Sequence, residues 1–401
     1  MSLRVTWVTR SFLDYRIPVF EELNELLSGD LHVIFSSEWT PPRVTSKLQE
    51  VLGLRAIPLA GERRLGNDAR SEFANSRICI PYQPGLYRAI ARTQPDLLIA
   101  DGFFRWTPAA LRYKLFCRTP LVICYERTRH TERRAQWYRT LHRRLVVRMT
   151  DAMCCNGQLC QEYTQSLGMP AQRITLGHMA ADNSALSLQA AAVTTDDIVR
   201  LRARHHIQGV CFLYIGRLIR LKGVHELLAA WNKLRISNTA ATLVIAGDGP
   251  ERESLEAYTK ECKLGNVRLL GAIPYEEIAQ LYAMSDIFVI PTLEDNWSLV
   301  VPEAMACGLP VLCSVYNGCW PELVHNNENG WTFDPLCQTD TIDALQRALA
   351  NQAKLAAMGE QSRRIVARYS PTEAARSILR ACQLAARATR SGSAAEPTST
   401  K

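Results

Sequence analysis

The chain has 401 residues, too many for a single ordinary core, and its 47% hydrophobic and 21% charged content excludes a disordered or fibrous protein. The net charge of +8 leaves nucleic acid, an anionic membrane or a phosphorylated substrate as partners, yet the excess is local: eight arginines lie between Arg127 and Arg148, opposed only by Glu132. No apolar run reaches the roughly 18 residues that cross a bilayer, and the 13 cysteines, scattered without metal-type spacing, read as buried thiols of a reducing cytosol rather than as disulfides or a zinc site.

Residues 3–9, interrupted by Arg4 and closed by Arg10, read as a first strand and not as a signal peptide. Residues 18–27 carry helical spacing (Val19, Phe20, Leu23, Leu26, Leu27), and 31–35 is a second strand. Further strands are predicted at 96–100, 121–124 and 152–155. This alternation implies a parallel sheet with right-handed crossovers. The Ala/Ser/Thr-rich stretch after residue 184 places a linker at 184–208, between an N-terminal domain (1–183) and a C-terminal one (209–368). The second domain predicts strands at 211–215, 242–246, 267–270, 287–291 and 311–314, with helices at 224–234 and 274–284 between them. A last helix within 369–388 is expected to pack back on the first domain, and the polar tail 389–401 to be disordered. Two such α/β sheets, Rossmann-like and facing across a cleft, hold ligands at the carboxyl ends of their strands.

The loops after strands therefore carry the chemistry. After strand 211–215, Gly216 lets the backbone leave the sheet, and Arg217 and Lys222 supply two cations suited to a diphosphate. The ordinary alternative is a solvated basic loop. After strand 287–291 comes an acidic loop, then a short helix starting near Ser298 with Asn296 or Ser298 as its N-cap, then Gly308 and a strand. Its N-terminus presents backbone N–H groups to an anion. Asp295 precedes the helix and Glu303 lies on it, and carboxylates accept hydrogen bonds from sugar hydroxyls. Glu303 read as a plain surface charge fits poorly in so apolar a segment, where a bare carboxylate is costly.

Together, Gly216-Arg217 with Lys222-Gly223, Ala246-Gly247-Asp248-Gly249-Pro250, residues 267–271, and the acidic loop ending in Pro302-Glu303-Ala304-Met305-Ala306-Cys307-Gly308 resemble glycosyltransferase family 4 in order and spacing, over residues 209–330. The resemblance implies the GT-B fold and a retaining transfer of a hexose-type sugar from a nucleotide diphosphate sugar to a hydroxyl acceptor, with no cofactor and no obligate metal. It implies a donor site of Gly216, Arg217, Lys222, Gly247, Leu270, Ile273, Asp295, Ser298, Leu299, Val300 and Glu303. Arg217 and Lys222 would bind the diphosphate, Glu303 the ribose, and residues 269–273 would lie along the base. The family usually has a second glutamate where Asp295 stands, and Phe-Gly where Trp297-Ser298 stands. Residues 9–18 lack the glycine pair that members often carry after the first strand, so the acceptor loop departs from the pattern.

A catalytic His or acid often follows the strand that here is 121–124, which makes Glu126 and His130 the candidates beside Asp295. A His in an Arg-rich loop is also simply solvated in many proteins. On a helix over 133–148, Trp137, Leu141, Leu145 and Arg148 share one face, with Arg139 and Arg143 to the side. That suits an anionic membrane surface reached through Arg133 to Arg148, or equally an ordinary packed helix with solvated cations. No nucleic-acid module accompanies the charge. A membrane face would make the acceptor a lipid-linked or membrane-associated glycan precursor of bacterial polysaccharide or glycolipid synthesis, with the protein cytoplasmic and peripheral on the inner face of the cell membrane. The competing readings are another GT-B enzyme (a sugar-nucleotide epimerase or a phosphorylase) and a catalytically silent membrane scaffold.

Overall fold

A computed structural model describes residues 3–65, 80–235 and 240–393. The chain divides into two compact units, one of residues 1–181 with 371–401 and the other of residues 182–370.

The first unit is built on a seven-stranded parallel sheet. Its strands are β1 (Val5–Val8), β2 (Leu31–Ser36), β3 (Ala56–Leu59), then, beyond a small antiparallel pair β4 (Arg63–Leu65) and β5 (Ile80–Tyr82), β6 (Leu97–Asp101), β7 (Leu121–Tyr125), β8 (Ala152–Cys155) and β9 (Ile174–Leu176). The spatial order is β3-β2-β1-β6-β7-β8-β9, so the direction of winding reverses between β1 and β6. Strand periodicity decides which side chains meet which helices. Leu97 and Ile99 of β6 point to one face, packed with α1 (Arg16–Leu26), α2 (Pro42–Leu52) and the long C-terminal helix; Leu98 and Ala100 point to the other, packed with α3 (Leu86–Thr93), α4 (Thr107–Cys117), α5 (Trp137–Arg148) and α6 (Gln158–Ser166).

The second unit has a six-stranded parallel sheet of β10 (Val210–Ile215), β11 (Ala241–Ala246), β12 (Val267–Gly271), β13 (Ile287–Ile290), β14 (Val311–Ser314) and β15 (Gly330–Phe333), in the order β12-β11-β10-β13-β14-β15. Its reversal falls between β10 and β13, whose pairing runs Phe212 to Ile287 and Leu213 to Phe288. The helices are α7 (Ser184–Ala191), α8 (Thr195–Arg204), α9 (Val224–Leu234), α10 (Arg252–Glu261), α11 (Tyr275–Ala283), α12 (Val300–Ala306), α13 (Trp320–Leu323), α14 (Gln338–Ala350) and α15 (Leu355–Val366).

Residues 184–208 differ from the expected linker: they fold as α7 and α8 and belong to the second unit. The Ser187 hydroxyl bonds the Ala306 carbonyl at 2.9 Å, and a reciprocal Thr194–Asp197 capping box starts α8. The last helix, α16 (Pro371–Ser393), belongs to the first unit. There Ala375, Ile378, Ala381 and Cys382 are buried against the sheet, and the Thr175 hydroxyl of β9 bonds the Ser377 carbonyl. The helix runs to 393, so the tail expected from 389 begins inside it; residues 394–401 lie outside the described residues.

Candidate functional site

The second unit gathers its polar residues where its sheet reverses. The loop after β10 turns through Gly216 into a single 3-10 turn at Arg220–Lys222, and the loop after β13 lies against it. Gly223 has a φ of +68°, and a Cβ there would meet the Pro291 carbonyl oxygen at 1.9 Å, so only glycine allows the two loops to touch. The Leu221 carbonyl locks them by accepting the Leu293 N–H at 2.8 Å and the Thr292 hydroxyl at 2.9 Å. A Cβ on Gly247 would lie 1.8 Å from the Gly216 carbonyl oxygen, and the Gly247 N–H donates to the Gly271 carbonyl at 2.7 Å. The loops after β10, β11 and β12 are thereby drawn into one layer.

Within that layer the Asp295 carboxylate accepts from the Lys222 ammonium, the Ser298 hydroxyl and, at 3.2 Å, the Trp297 N–H. Its own backbone is held between the Tyr316 carbonyl and the Gly318 N–H. Asp295 thus fixes Lys222 against the start of α12, while the exposed Arg217 side chain has no partner among the described residues. The N-cap of α12 is Leu299, not Asn296 or Ser298, because the Ser298 hydroxyl is committed to Asp295. Among the described residues nothing accepts the Leu299 and Val300 N–H groups.

Glu303 follows in the first turn of α12, where the Tyr282 hydroxyl of α11 donates to its Oε2 at 3.1 Å. Burial raises its pKa to about 7, and the Tyr282 hydrogen bond only partly counters this. It is a carboxyl poised near neutrality with a free edge. Tyr282 escaped the sequence reading; the predicted helix contained it, but nothing in a single sequence marks which helix residue meets Glu303. Leu270 and Ile273, half-buried, flank Gly271 beside this layer.

Glu126 and His130 lie in the first unit, in the loop after β7. The His130 carbonyl is engaged by Arg133, and Thr128 and Thr131 tie the loop together. The basic segment departs from the expectation of a helix from 133: α5 begins at Trp137. Arg143 is not at the side of a solvated face. It is 1% exposed and paired with the equally buried Glu132, which also takes Arg127 at 3.0 Å. Trp137 (77% exposed), Leu141 (50%) and Leu145 (47%) face outward with exposed Arg144 and Arg148. Among the described residues no helix is long and apolar enough to cross a membrane.

A family model described as Glycosyl transferases group 1 matches residues 202–365, and one described as Glycosyltransferase Family 4 matches residues 31–183. The D-inositol 3-phosphate glycosyltransferase of Corynebacterium jeikeium is 33% identical over 171 residues, covering 41% of this chain and 39% of that protein. A GDP-mannose-dependent alpha-(1-6)-phosphatidylinositol monomannoside mannosyltransferase of Mycobacterium tuberculosis is 29% identical over 157 residues, covering 37% of this chain and 40% of that protein. These matches span about two fifths of each relative's length. The crystal structure of Anabaena HepE in complex with UDP aligns with 95% of this chain and 100% of that one, at 18% identity and a TM-score of 0.72. With the two parallel-sheet α/β units, that likeness establishes the GT-B fold.

Proposed function

The chain belongs to glycosyltransferase family 4 of the group 1 type, and on that footing we propose that it is a retaining hexosyltransferase using a nucleotide diphosphate sugar. The observation that carries this reading is the convergence, at the reversal point of the second sheet, of Lys222 fixed by Asp295, of Arg217, of two unbonded N–H groups at α12 and of Glu303. Ligands of open α/β sheets sit at such reversals. In the proposed complex Arg217, Lys222 and the N–H groups of Leu299 and Val300 neutralise the diphosphate, and Glu303 accepts from the ribose hydroxyls. As the bond from the anomeric carbon to the diphosphate breaks, that stabilisation of the leaving group is the largest physical contribution. The acceptor hydroxyl forms the new bond on the same face, and Glu126 and His130 are the candidates to take its proton. Gly216 and Gly247 admit the donor closely, with Leu270 and Ile273 along the base. The base is left open between uridine and guanosine, since HepE was solved with UDP and the mycobacterial relative is named for GDP-mannose.

The acceptor proposed is a lipid-linked or membrane-associated glycan, with the protein peripheral on an anionic membrane at the cytoplasmic face. The outward Trp137, Leu141 and Leu145 with exposed Arg144 and Arg148 support this, because aromatic and aliphatic groups ringed by arginine suit a headgroup boundary. The test is a panel of UDP- and GDP-sugars incubated with the chain and a bacterial lipid extract. Nucleoside diphosphate released only when extract is present, with sugar appearing on lipid in unchanged anomeric configuration, supports the transferase. Release without acceptor and with a rearranged sugar turns the reading to an epimerase, and dependence on inorganic phosphate turns it to a phosphorylase.

A further inference from the structure

The two faces of the first sheet differ in charge. On one, α1 carries Glu21, Glu22 and Glu25, α2 carries Glu50, and α16 carries Glu373. On the other, α3 carries two basic residues, α4 two and α5 four, with no Asp or Glu on any of the three helices. Only Lys114 and Arg143 among these pair with acids from neighbouring segments, Asp151 and Glu132. Arg88, Arg92, Arg144 and Arg148 are exposed and have no hydrogen bond or ion pair among the described residues, and the same holds for Arg118 directly after α4. An unbalanced field of this kind draws in an anionic surface and acts over about a Debye length.

The same face projects apolar side chains. Besides Trp137, Leu141 and Leu145 of α5, Leu115 is 63% and Phe116 73% exposed in the last turn of α4. Their neighbours pack inward: Leu111 and Tyr113 of α4, Val146 and Val147 of α5 and Ile90 of α3 share one core cluster. Ring contacts join the three helices into one surface. Tyr87 of α3 lies 5.7 Å from Tyr113 of α4, and the Arg112 guanidinium rests 5.2 Å over the Tyr87 ring and 5.9 Å over Phe116. His142 of α5 stacks at 4.8 Å on Phe104, in the loop that enters α4.

Strands β6, β7 and β8 are adjacent and parallel, so the helices that connect them lie side by side and run against the strands. The last turn of α4 therefore sits toward the amino edge of the sheet, and Trp137, the first residue of α5, toward the carboxyl edge. The twelve residues of α5 span about 18 Å between these edges. A flat surface that meets both Phe116 and Trp137 lies along the helices.

We propose that the α3–α4–α5 face lies flat on an anionic bilayer, with Leu115 and Phe116 of α4 as an insertion point separate from the one on α5. Two properties select a lipid surface. The unpaired arginines match anionic headgroups, and the apolar side chains among them match the acyl boundary just beneath. Nucleic acid supplies the charge but no apolar layer for Leu115 and Phe116. The inference rests on the membrane reading above and not on the transferase reading. It adds an orientation: lying flat brings the carboxyl edge of the first sheet, with the loop of Glu126 and His130 after β7, to the bilayer surface.

The test is flotation of the full chain with vesicles of phosphatidylcholine, with and without phosphatidylglycerol. Leu115→Ser with Phe116→Ser should lower binding to the mixed vesicles at least about fivefold, with the melting temperature unchanged. Arg88→Glu with Arg92→Glu should weaken binding strongly at low salt and less at high salt, because these residues act through charge. Phe116→Trp should add emission, relative to wild type, that shifts to the blue on the mixed vesicles. Undiminished flotation of the α4 pair, while Trp137→Ser with Leu141→Ser loses binding, overturns the proposal and leaves the membrane reading on α5 standing. Loss in the α4 pair with undiminished flotation of the α5 pair supports the α4 insertion point and removes the one on α5. Unchanged binding on charge reversal in α3, or equal binding of wild type to pure phosphatidylcholine, overturns the anionic docking face. Absence of wild-type flotation overturns both readings, and a lower mass of the α4 pair in sedimentation then assigns the face to a second copy of the chain.

Discussion

The Lys222 ammonium and the Asp295 carboxylate meet across 73 residues of sequence, and Asp295 bonds the Ser298 hydroxyl at the same oxygen. A mobile point charge becomes a fixed one by this contact, since the loops carrying both residues are locked through the Leu221 carbonyl. Asp295→Asn keeps the shape but removes the charge that holds Lys222. We expect kcat/KM for the nucleotide-sugar to fall roughly 10- to 100-fold, about 1.4 to 2.7 kcal/mol, in steady-state kinetics. Ser298→Ala, which leaves the ion pair in place, should cost less than about tenfold.

Glu303 gives a prediction in pH. Its pKa is raised by burial to about 7 when folded, from an ordinary carboxylate value when unfolded. The folded state therefore holds a proton that the unfolded state has released between these values. The resulting stabilisation is complete below the unfolded value and is lost as pH rises through about 7. Glu303→Gln should accordingly unfold at higher denaturant than wild type at pH 8, by roughly 1 to 3 kcal/mol, with the gain vanishing near pH 4. The same substitution should weaken nucleotide binding. In wild type, nucleotide affinity should fall as pH drops below about 7, because the carboxylate is the better acceptor for ribose hydroxyls.

The buried pair Glu132–Arg143 separates structural from solvated arginine on one helix. Arg143→Ala takes a cationic partner from a carboxylate that is only 1% exposed, and should cost about 3 to 5 kcal/mol in urea unfolding. Arg144→Ala, its exposed neighbour, should stay within about 0.5 kcal/mol of wild type.

Short apolar runs and a clear helical spacing were legible directly: 152–155 and 311–314 are strands and 224–234 a helix, all with the expected bounds. Elsewhere element ends moved by one or two residues, as at β10 and α11, because caps and turns depend on neighbours. Short edge strands such as β9 escaped because three half-exposed residues carry no period. Residues 184–208 misled through composition, although Ala-rich sequence favours helix and the Thr194–Asp197 spacing is itself a helix start. The loops after β10 and β11 could be read because backbone approach demands glycine at Gly223 and Gly247 whatever the partner. Which arginines are paired could not, since Arg143 finds Glu132 and Arg105 finds no partner among the described residues only once the first sheet is assembled.

On α5, Trp137, Leu141 and Leu145 point outward, away from the buried Val146 and Val147. Trp137→Ser with Leu141→Ser should lower binding to phosphatidylglycerol-containing vesicles at least fivefold in flotation, while the melting temperature stays within about a degree. Undiminished flotation would remove α5 from the membrane reading.

The most direct measurement is thermal unfolding of the full chain with UDP, GDP, ADP and dTDP, in wild type and in Lys222→Ala. A ligand bound only by the folded state raises its stability by about 2.7 kcal/mol at a hundred times Kd. The account predicts a rise of several degrees with one of these diphosphates, abolished by Lys222→Ala. No rise with any of them, or an equal rise in the variant, would contradict a donor site built on Lys222 and Asp295.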